Sequence, residues 1–272
     1  MATPAQKADS FRALHHRACA FVMPNPWDAG SAHLLAKLGF EALATTSAGF
    51  AFSAGRRDGT TTRDDMLAHA RCIAAATALP VSADMENGFG DDPDAVAEAI
   101  RLVAGTGVAG ASIEDATGRE GDPIHAKALA VERVRAAAEA ARSAGFALVL
   151  TARAENFLHG RHDLADTIAR LQSYQEAGAD VLYAPGLRTR AEIETVVRSV
   201  DRPVNVLAGS LEPGLDVAAL SAIGVRRISI GSALARAALT TLLSAAGEMR
   251  ERGTFDFAQG ATSYRDLSLL FD

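Results

Sequence analysis

Along this chain an Ala-rich helical stretch repeatedly stops at a glycine and passes straight into a short apolar run. No other feature limits the accessible folds as much. Gly39-Phe40 leads into Glu41–Ser47 (EALATTS), Gly107-Val108 into Ala109–Asp115 (AGASIED) and Gly145-Phe146 into Ala147–Arg153 (ALVLTAR). Gly178-Ala179 leads into Asp180–Gly186 (DVLYAPG), and Gly224-Val225 into Arg226–Ser232 (RRISIGS). Glycine takes the left-handed turn that ends a helix at little cost. The short runs rich in Val, Ile and Leu match strands covered on both faces of a parallel sheet. Two more strands start after proline, at Pro80 (VSADME) and Pro203 (VNVLAG), and the first lies in Cys19–Trp27. Eight such units, spaced roughly 25–40 residues apart with no linker between them, predict an α/β fold of the (β/α)8 TIM-barrel type.

On this reading residues 1–272 are one barrel domain, and 232–272 form a C-terminal helical tail. The tail puts Leu267, Leu270 and Phe271 on one helical face, which suits packing against a neighbouring subunit or capping of the barrel end. A doubly wound nucleotide-binding sheet is the rival fold, and Gly105–Gly110 does spell GxGxxG. That glycine set follows a helix (AVAEAIRLVAG) and opens a strand, the reverse of the dinucleotide-binding order, and reads as a chance match.

Composition narrows the function classes. At 49% hydrophobic residues the chain can build a large core, and a formal net charge of -6 argues against a nucleic-acid binder. No apolar run is long enough to span a membrane, and the N-terminus lacks a signal-peptide pattern, so a cytoplasmic protein is expected. Cys19 and Cys72 have no metal or CxxC spacing and read as two partly buried free thiols.

In a barrel of this type the C-terminal strand ends build the active site. Read in order, those ends carry Ser47-Ala48-Gly49, then Asp84 and Glu86, Glu114-Asp115, Arg153, Tyr183 and Asn205. Asp84 and Glu86 are two apart and would share a face of an extended strand, with Glu114 beside them. Crowded carboxylates repel unless a cation joins them, and an all-oxygen set suits Mg²⁺, or Mn²⁺, better than zinc. One direct carboxylate, with the others acting through water, is the expected arrangement for magnesium. Arg153 offers a planar donor fork for a carboxylate, and an ion pair to Glu114 or Asp115 is compatible with that role. Ser47 and the amides of Ala48 and Gly49 could hold a second anionic oxygen.

Taken together, these residues resemble the isocitrate lyase/phosphoenolpyruvate mutase superfamily. Ser82–Gly90 (SADMENGFG) is similar to its D-x-[DE]-x-G-[FY]-G signature, and TSAG, RRDG with Asp58, SIED and TAR follow the family's order. The resemblance runs from about Asn25 to Gly231. It implies a Mg²⁺ enzyme acting on 2-oxo or 2-hydroxy carboxylates through an enolate. It also implies homo-oligomers, dimers or tetramers, in which the last barrel helix is exchanged between subunits. Carried onto this chain, Asp84 would bind the metal, with Glu86, Glu114 and Asp58 holding its waters. Ser47, Ala48 and Gly49 would grip the substrate carboxylate, and Arg153 would neutralise the oxyanion. Tyr183 and Asn205 complete the expected substrate contacts.

The departure from the family lies after strand four, in Ala116–Lys127, where the lyases of the family carry a K-[KR]-C-G-H gating motif. No cysteine occurs there, and the Lys and Asn-Ser of the mutase loop do not match either. Gly118 and Gly121 suggest a mobile lid, with Arg119, His125 and Lys127 as polar candidates and His125 as the expected acid or base. The expected activity is therefore cleavage or formation of a C–C bond beside a 2-oxo or 2-hydroxy carboxylate. The alternatives are P–C bond chemistry, oxaloacetate decarboxylation, or non-catalytic binding of a 2-oxo acid.

Overall fold

A computed structural model of the chain describes residues 2–271; Met1 and Asp272, the ends of the expected domain, lie outside the described residues. Helix α1 (Pro4–His15) starts at a capping box in which the Thr3 side chain accepts from the Gln6 amide and Gln6 bonds back to Thr3. Then follow β1 (Phe21–Met23), α2 (Ala29–Lys37), β2 (Leu43–Ala44), α3 (Ser47–Ser53), α4 (Arg63–Ala75), β3 (Val81–Asp84), α5 (Pro93–Ala104) and β4 (Gly110–Glu114). A short hairpin, β5 (Ala116–Arg119) and β6 (Asp122–Ile124), precedes α6 (Lys127–Arg142) and β7 (Val149–Arg153). The chain continues through α7 (Leu164–Ala177), β8 (Val181–Tyr183), α8 (Arg190–Ser199), β9 (Val204–Leu207), α9 (Val217–Ile223) and β10 (Arg227–Ser229). It ends in α10 (Ala233–Arg252), a 3-10 turn (Asp256–Gly260) and α11 (Tyr264–Leu269).

Eight strands form one parallel sheet in the order β1-β10-β9-β8-β7-β4-β3-β2. The edge strands meet where the Ala44 amide donates to the Pro24 carbonyl at 3.1 Å, so the sheet is a nearly closed (β/α)8 barrel. The expected helix-to-strand glycines sit at those junctions. Gly105 caps α5 and Gly110 opens β4, so the GxGxxG segment joins a helix to a strand.

Side chains alternate along each strand. Ala83, Ala111, Ile113, Leu150, Leu182, Val206 and Ile228 point outward and pack under the helices. Helix α5 adds Val96, Ile100 and Val103 at helical spacing, and α6 meets it with Ala130, Ala137 and Ala141. Alanine lets those helices pack closely, and each buried Val or Ile contributes about 1.5–3 kcal/mol. Many of the inward positions are polar instead, among them Ser82, Ser112, Thr151, Asn205, Arg227 and Ser229. Such positions fill the interior of a barrel with apolar layers when no cavity is kept; here they leave one open at the C-terminal side.

The opposite end is closed by α1. Ala8, Phe11 and Leu14 pack on Phe21, Val149 and Val181 at the strand starts. Gly110 makes this approach possible, because a Cβ there would lie 2.8 Å from the Phe11 ring and 2.7 Å from the Val149 carbonyl.

Two expectations are corrected, and one segment takes a definite form. Cys19 and Cys72 are free but exposed rather than partly buried. The segment after strand four, expected as a mobile lid, begins as an antiparallel hairpin. The tail does not place Leu267, Leu270 and Phe271 on a single helix, since α11 ends at Leu269 and Phe271 instead stacks on His33 at 5.5 Å. Among the described residues no helix is long and apolar enough to cross a membrane.

Candidate active site

Strand register assembles the site. In the parallel ladder Glu114 pairs with Arg153, Arg153 with Tyr183 and Tyr183 with Asn205, so four of the expected residues stand side by side on adjacent strands. Asp84 ends β3 opposite Ser112. The strands enclose a cavity of about 210 Å³ whose wall includes Ser47, Ala48, Asp58, Asp84, Arg153 and Tyr183.

Arg153 is the hub. Its Nη1 donates to Asp84 Oδ1 at 3.0 Å and its Nε to Glu155 Oε1 at 2.8 Å; its Nη2 lies 3.0 Å from Glu114 Oε2. Its guanidinium also lies 5.3 Å from the centre of the Tyr183 ring, a cation–π contact. Burial by itself would lower the Arg153 pKa, but Glu114, Glu155 and Asp84 hold it well above the ordinary arginine value. Arg153 is therefore a permanent, oriented positive charge.

Asp84 is held on both oxygens. Oδ2 accepts from the Ser47 hydroxyl at 3.0 Å and the Ser47 amide at 3.3 Å, and Oδ1 accepts from Arg153 and the Glu86 amide. Its own amide donates to Thr45 Oγ1 at 2.8 Å, which ties the end of β3 to β2.

Glu86 reaches this cluster by a different route from the one its spacing predicts. Strand β3 ends at Asp84, and Glu86 has φ of 48°, a left-handed conformation that breaks the two-residue alternation. Its Oε1 accepts from the Thr61 hydroxyl at 2.9 Å. The turn that carries it is clamped from α6 by Arg133, which is 1% exposed and donates to the carbonyls of Asn87, Gly90 and Asp91.

Negative charge exceeds positive charge here. Burial, with the Asp84 charge second, pushes Glu86 up to about 7 and raises Asp58. Burial likewise raises Glu114 and Glu155, against the pull of Arg153. One guanidinium does not neutralise this set, and all the donors are oxygens. The site thus fits a hydrated hard divalent cation. It is not a three-carboxylate cage: no group of three or more acidic, His or Cys side chains converges on one point among the described residues. Arg153 lies between Asp84 and Glu114 instead.

Three expected residues lie elsewhere. Gly49 sits in the first turn of α3, where its amide donates to the cap residue Thr46 at 3.2 Å; it is buried beneath Trp27 and Ala235, not at the cavity wall. Asp115, next to Glu114, alternates to the outside of the barrel and bonds Arg170 at 2.9 Å and Tyr174 at 2.6 Å. His125 is 3% exposed, with its carbonyl bonded to Arg170 and its Nε2 3.7 Å from Asp91. Burial lowers its pKa, and no atom of His125 lines the cavity.

Four further groups at the site carry little or no signal in their local sequence. Glu155 orients Arg153, and its only signal was its place two residues after Arg153. Asn25 ties three strands, donating to the Thr45 carbonyl at 3.0 Å and accepting from the Ile230 and Gly231 amides at 3.0 Å each. Ser229 accepts from the Asn205 amide at 2.9 Å. Arg227 is fully enclosed within the barrel, and nothing in its local sequence distinguishes it from Arg226 beside it.

The architecture has counterparts among known proteins. A crystal structure from Burkholderia cenocepacia, provisionally described as a lyase/mutase, superposes with a TM-score of 0.96 at 58% identity over 98% of this chain and 96% of that one. The structure of 2,3-dimethylmalate lyase, described as a PEP mutase/isocitrate lyase superfamily member, matches at 28% identity and TM-score 0.86, covering 99% of this chain and 95% of that one. An oxaloacetate decarboxylase from Marinomonas sp. is 27% identical over 98% of this chain and 95% of its own length. The phosphoenolpyruvate phosphomutase family model matches residues 11–250, and the chain belongs to that family, within the PEP mutase/isocitrate lyase superfamily.

Proposed function

We propose that this protein is a divalent-metal-dependent lyase that breaks or makes a C–C bond beside a 2-oxo or 2-hydroxy carboxylate. The observation that carries this reading is Arg153, a permanently charged fork enclosed among an excess of carboxylates in the barrel cavity. Asp84 would hold Mg²⁺, or Mn²⁺, with Glu86, Glu114 and Asp58 on its waters. When bound, the metal supplies fixed positive charge where negative charge grows on substrate oxygen.

The chain's own residues do the rest. Ser47 and Ala48 orient the substrate carboxylate at the cavity wall, and Tyr183 and Asn205 bound the opposite side. In the cleavage direction the 2-hydroxyl gives its proton to a carboxylate of the rim, and its oxygen becomes the carbonyl of a 2-oxo acid. The electron pair of the breaking C–C bond passes to the leaving carbon as an enolate, which then takes up a proton. Arg153, fixed in place before the reaction, stabilises the anionic oxygen without rearranging. The same rim would serve decarboxylation of a 2-oxo dicarboxylate, the reaction for which the Marinomonas relative is named.

Assaying 2-methylisocitrate, isocitrate, 2,3-dimethylmalate, oxaloacetate and phosphonopyruvate with and without Mg²⁺ tests the reading. Turnover to a 2-oxo acid that EDTA abolishes and Asp84→Ala removes is expected. Metal-independent turnover would overturn the metal assignment. Binding of oxalate without turnover of any substrate would favour a 2-oxo-acid binding protein.

We further infer that the chain forms homo-oligomers through α10, a 20-residue helix in which only Ala235 is buried. Leu242 and Leu243 stand 61% and 72% exposed side by side on it, an apolar surface that a second copy would cover.

A further inference from the structure

Below the Arg153 rim, the cavity reaches a second guanidinium. Arg227 lies on β10 two residues before Ser229, and its Nη2 donates at 3.1 Å to Thr151 Oγ1, two residues before Arg153 on β7. Its Nη1 also reaches His15 of α1, the helix that closes the opposite end, so the Arg227 head group lies deeper in the barrel than Arg153, and the residue lines the same cavity. It is 2% exposed.

All its partners are neutral. Nε donates to Asn205 Oδ1 at 2.9 Å, and Nη1 lies 3.4 Å from His15 Nε2. The other His15 nitrogen lies 2.8 Å from the Phe11 carbonyl. That carbonyl can only accept, so His15 carries its proton on Nδ1 and presents Nε2 to Arg227 as an acceptor. Three bonds satisfy three of the five guanidinium N–H groups. Among the described residues no carboxylate faces Arg227, whereas three face Arg153. Burial pushes Arg227 down to about 9, so it remains charged at neutral pH. A buried charge with no counter-ion is a large cost that folding would avoid if the position only needed a polar tie between strands.

We propose that Arg227 is a specificity-determining residue, receiving at the cavity floor a second anionic group of a substrate whose first carboxylate is held at the Arg153 rim. The substrate is then a dianion, a 2-oxo or 2-hydroxy dicarboxylate, oriented along the barrel axis. This inference rests on the rim being the substrate site.

Acids matched in length, differing only in whether the far end carries a carboxylate or a methyl group, test it. Titration calorimetry of the full chain with Mg²⁺ compares 2-oxoglutarate with 2-oxopentanoate, and malate with 2-hydroxybutyrate. The wild type is expected to prefer the dicarboxylate by at least about tenfold in one pair or both. Arg227→Met should bring that ratio close to one while leaving monocarboxylate affinity within about threefold, and Arg227→Lys should restore part of the preference. Equal affinity within both pairs in the wild type overturns the proposal without any variant, even where Arg227→Met does not fold. Retention of the ratio in a folded Arg227→Met protein overturns it too and leaves Arg227 a structural tie. Failure of all four acids to bind the wild type overturns the rim reading itself.

Discussion

At the scale of single residues, charge balance decides most of what this site can do. Arg153 faces three carboxylates and is the counter-charge that keeps those acids together; under the proposed function it would also anchor the substrate. Arg153→Ala should therefore weaken oxalate binding by about 100-fold and lower stability by about 3–5 kcal/mol, because buried acids are left unpaired. Calorimetry and urea unfolding would read the two effects separately. Arg153→Lys should recover much of the stability and little of the affinity, since an ammonium lacks the planar fork. Asp84 and Arg153 were legible in the sequence because each closes a regular strand. Glu86 reaches the cluster only through a left-handed turn that two-residue spacing does not describe.

At the scale of elements, the hairpin β5–β6 and helix α10 stand out. The hairpin occupies the place where a gating loop was expected, and it is anchored by Arg119 to Asp91 at 2.7 Å. It turns His125 inward behind the barrel wall, so the polar residue nearest in sequence to a lid function is a buried one. Helix α10 shows the opposite behaviour: its first turn packs on the barrel at Ala235, and Leu239 and Leu242 lie beside Trp27 around a small apolar hollow. A second copy of the chain would cover this surface. Sedimentation velocity should show dimers or larger species for the wild type, and a shift towards monomer for Leu242→Glu combined with Leu243→Glu. A wild type that is monomeric at micromolar concentration would refute this interface.

At the scale of the whole molecule, the floor of the barrel couples α1 to the interior through buried neutral histidine. Burial, with Arg227 second, pushes the His15 pKa down to about 3. Arg12 and His16 add smaller repulsions in the same direction, while the bond to the Phe11 carbonyl opposes them. The unfolded chain takes up this proton near pH 6.5 and the folded chain only near pH 3, so stability is complete above 6.5 and lost as pH falls towards 3. The slope is at most about 1.4 kcal/mol per pH unit for the one group. His69, stacked on Phe50 at 4.3 Å and pushed down to about 4, adds to it. The raised carboxylates at the rim act in the opposite sense, so the comparison between variants is the clean measurement. Between pH 6.5 and 4.5 the urea midpoint of His15→Gln should fall less than that of the wild type. Equal falls would show that His15 is already protonated in the folded state.

Glycine at helix ends, short apolar strands and acids at strand ends are local signals with fixed periods, and the sequence by itself determined the barrel and its acidic rim through them. Which acids meet was a tertiary matter, because Glu114 and Asp115 point to opposite sides of one strand and only the barrel says which side is inside. His125 was lost to the site for the same reason. Arg227 was invisible for another. A lone arginine in a strand carries no periodic signal, and its meaning lies in being enclosed without a carboxylate, a property of the surroundings that close around it only when eight strands from across the chain have met.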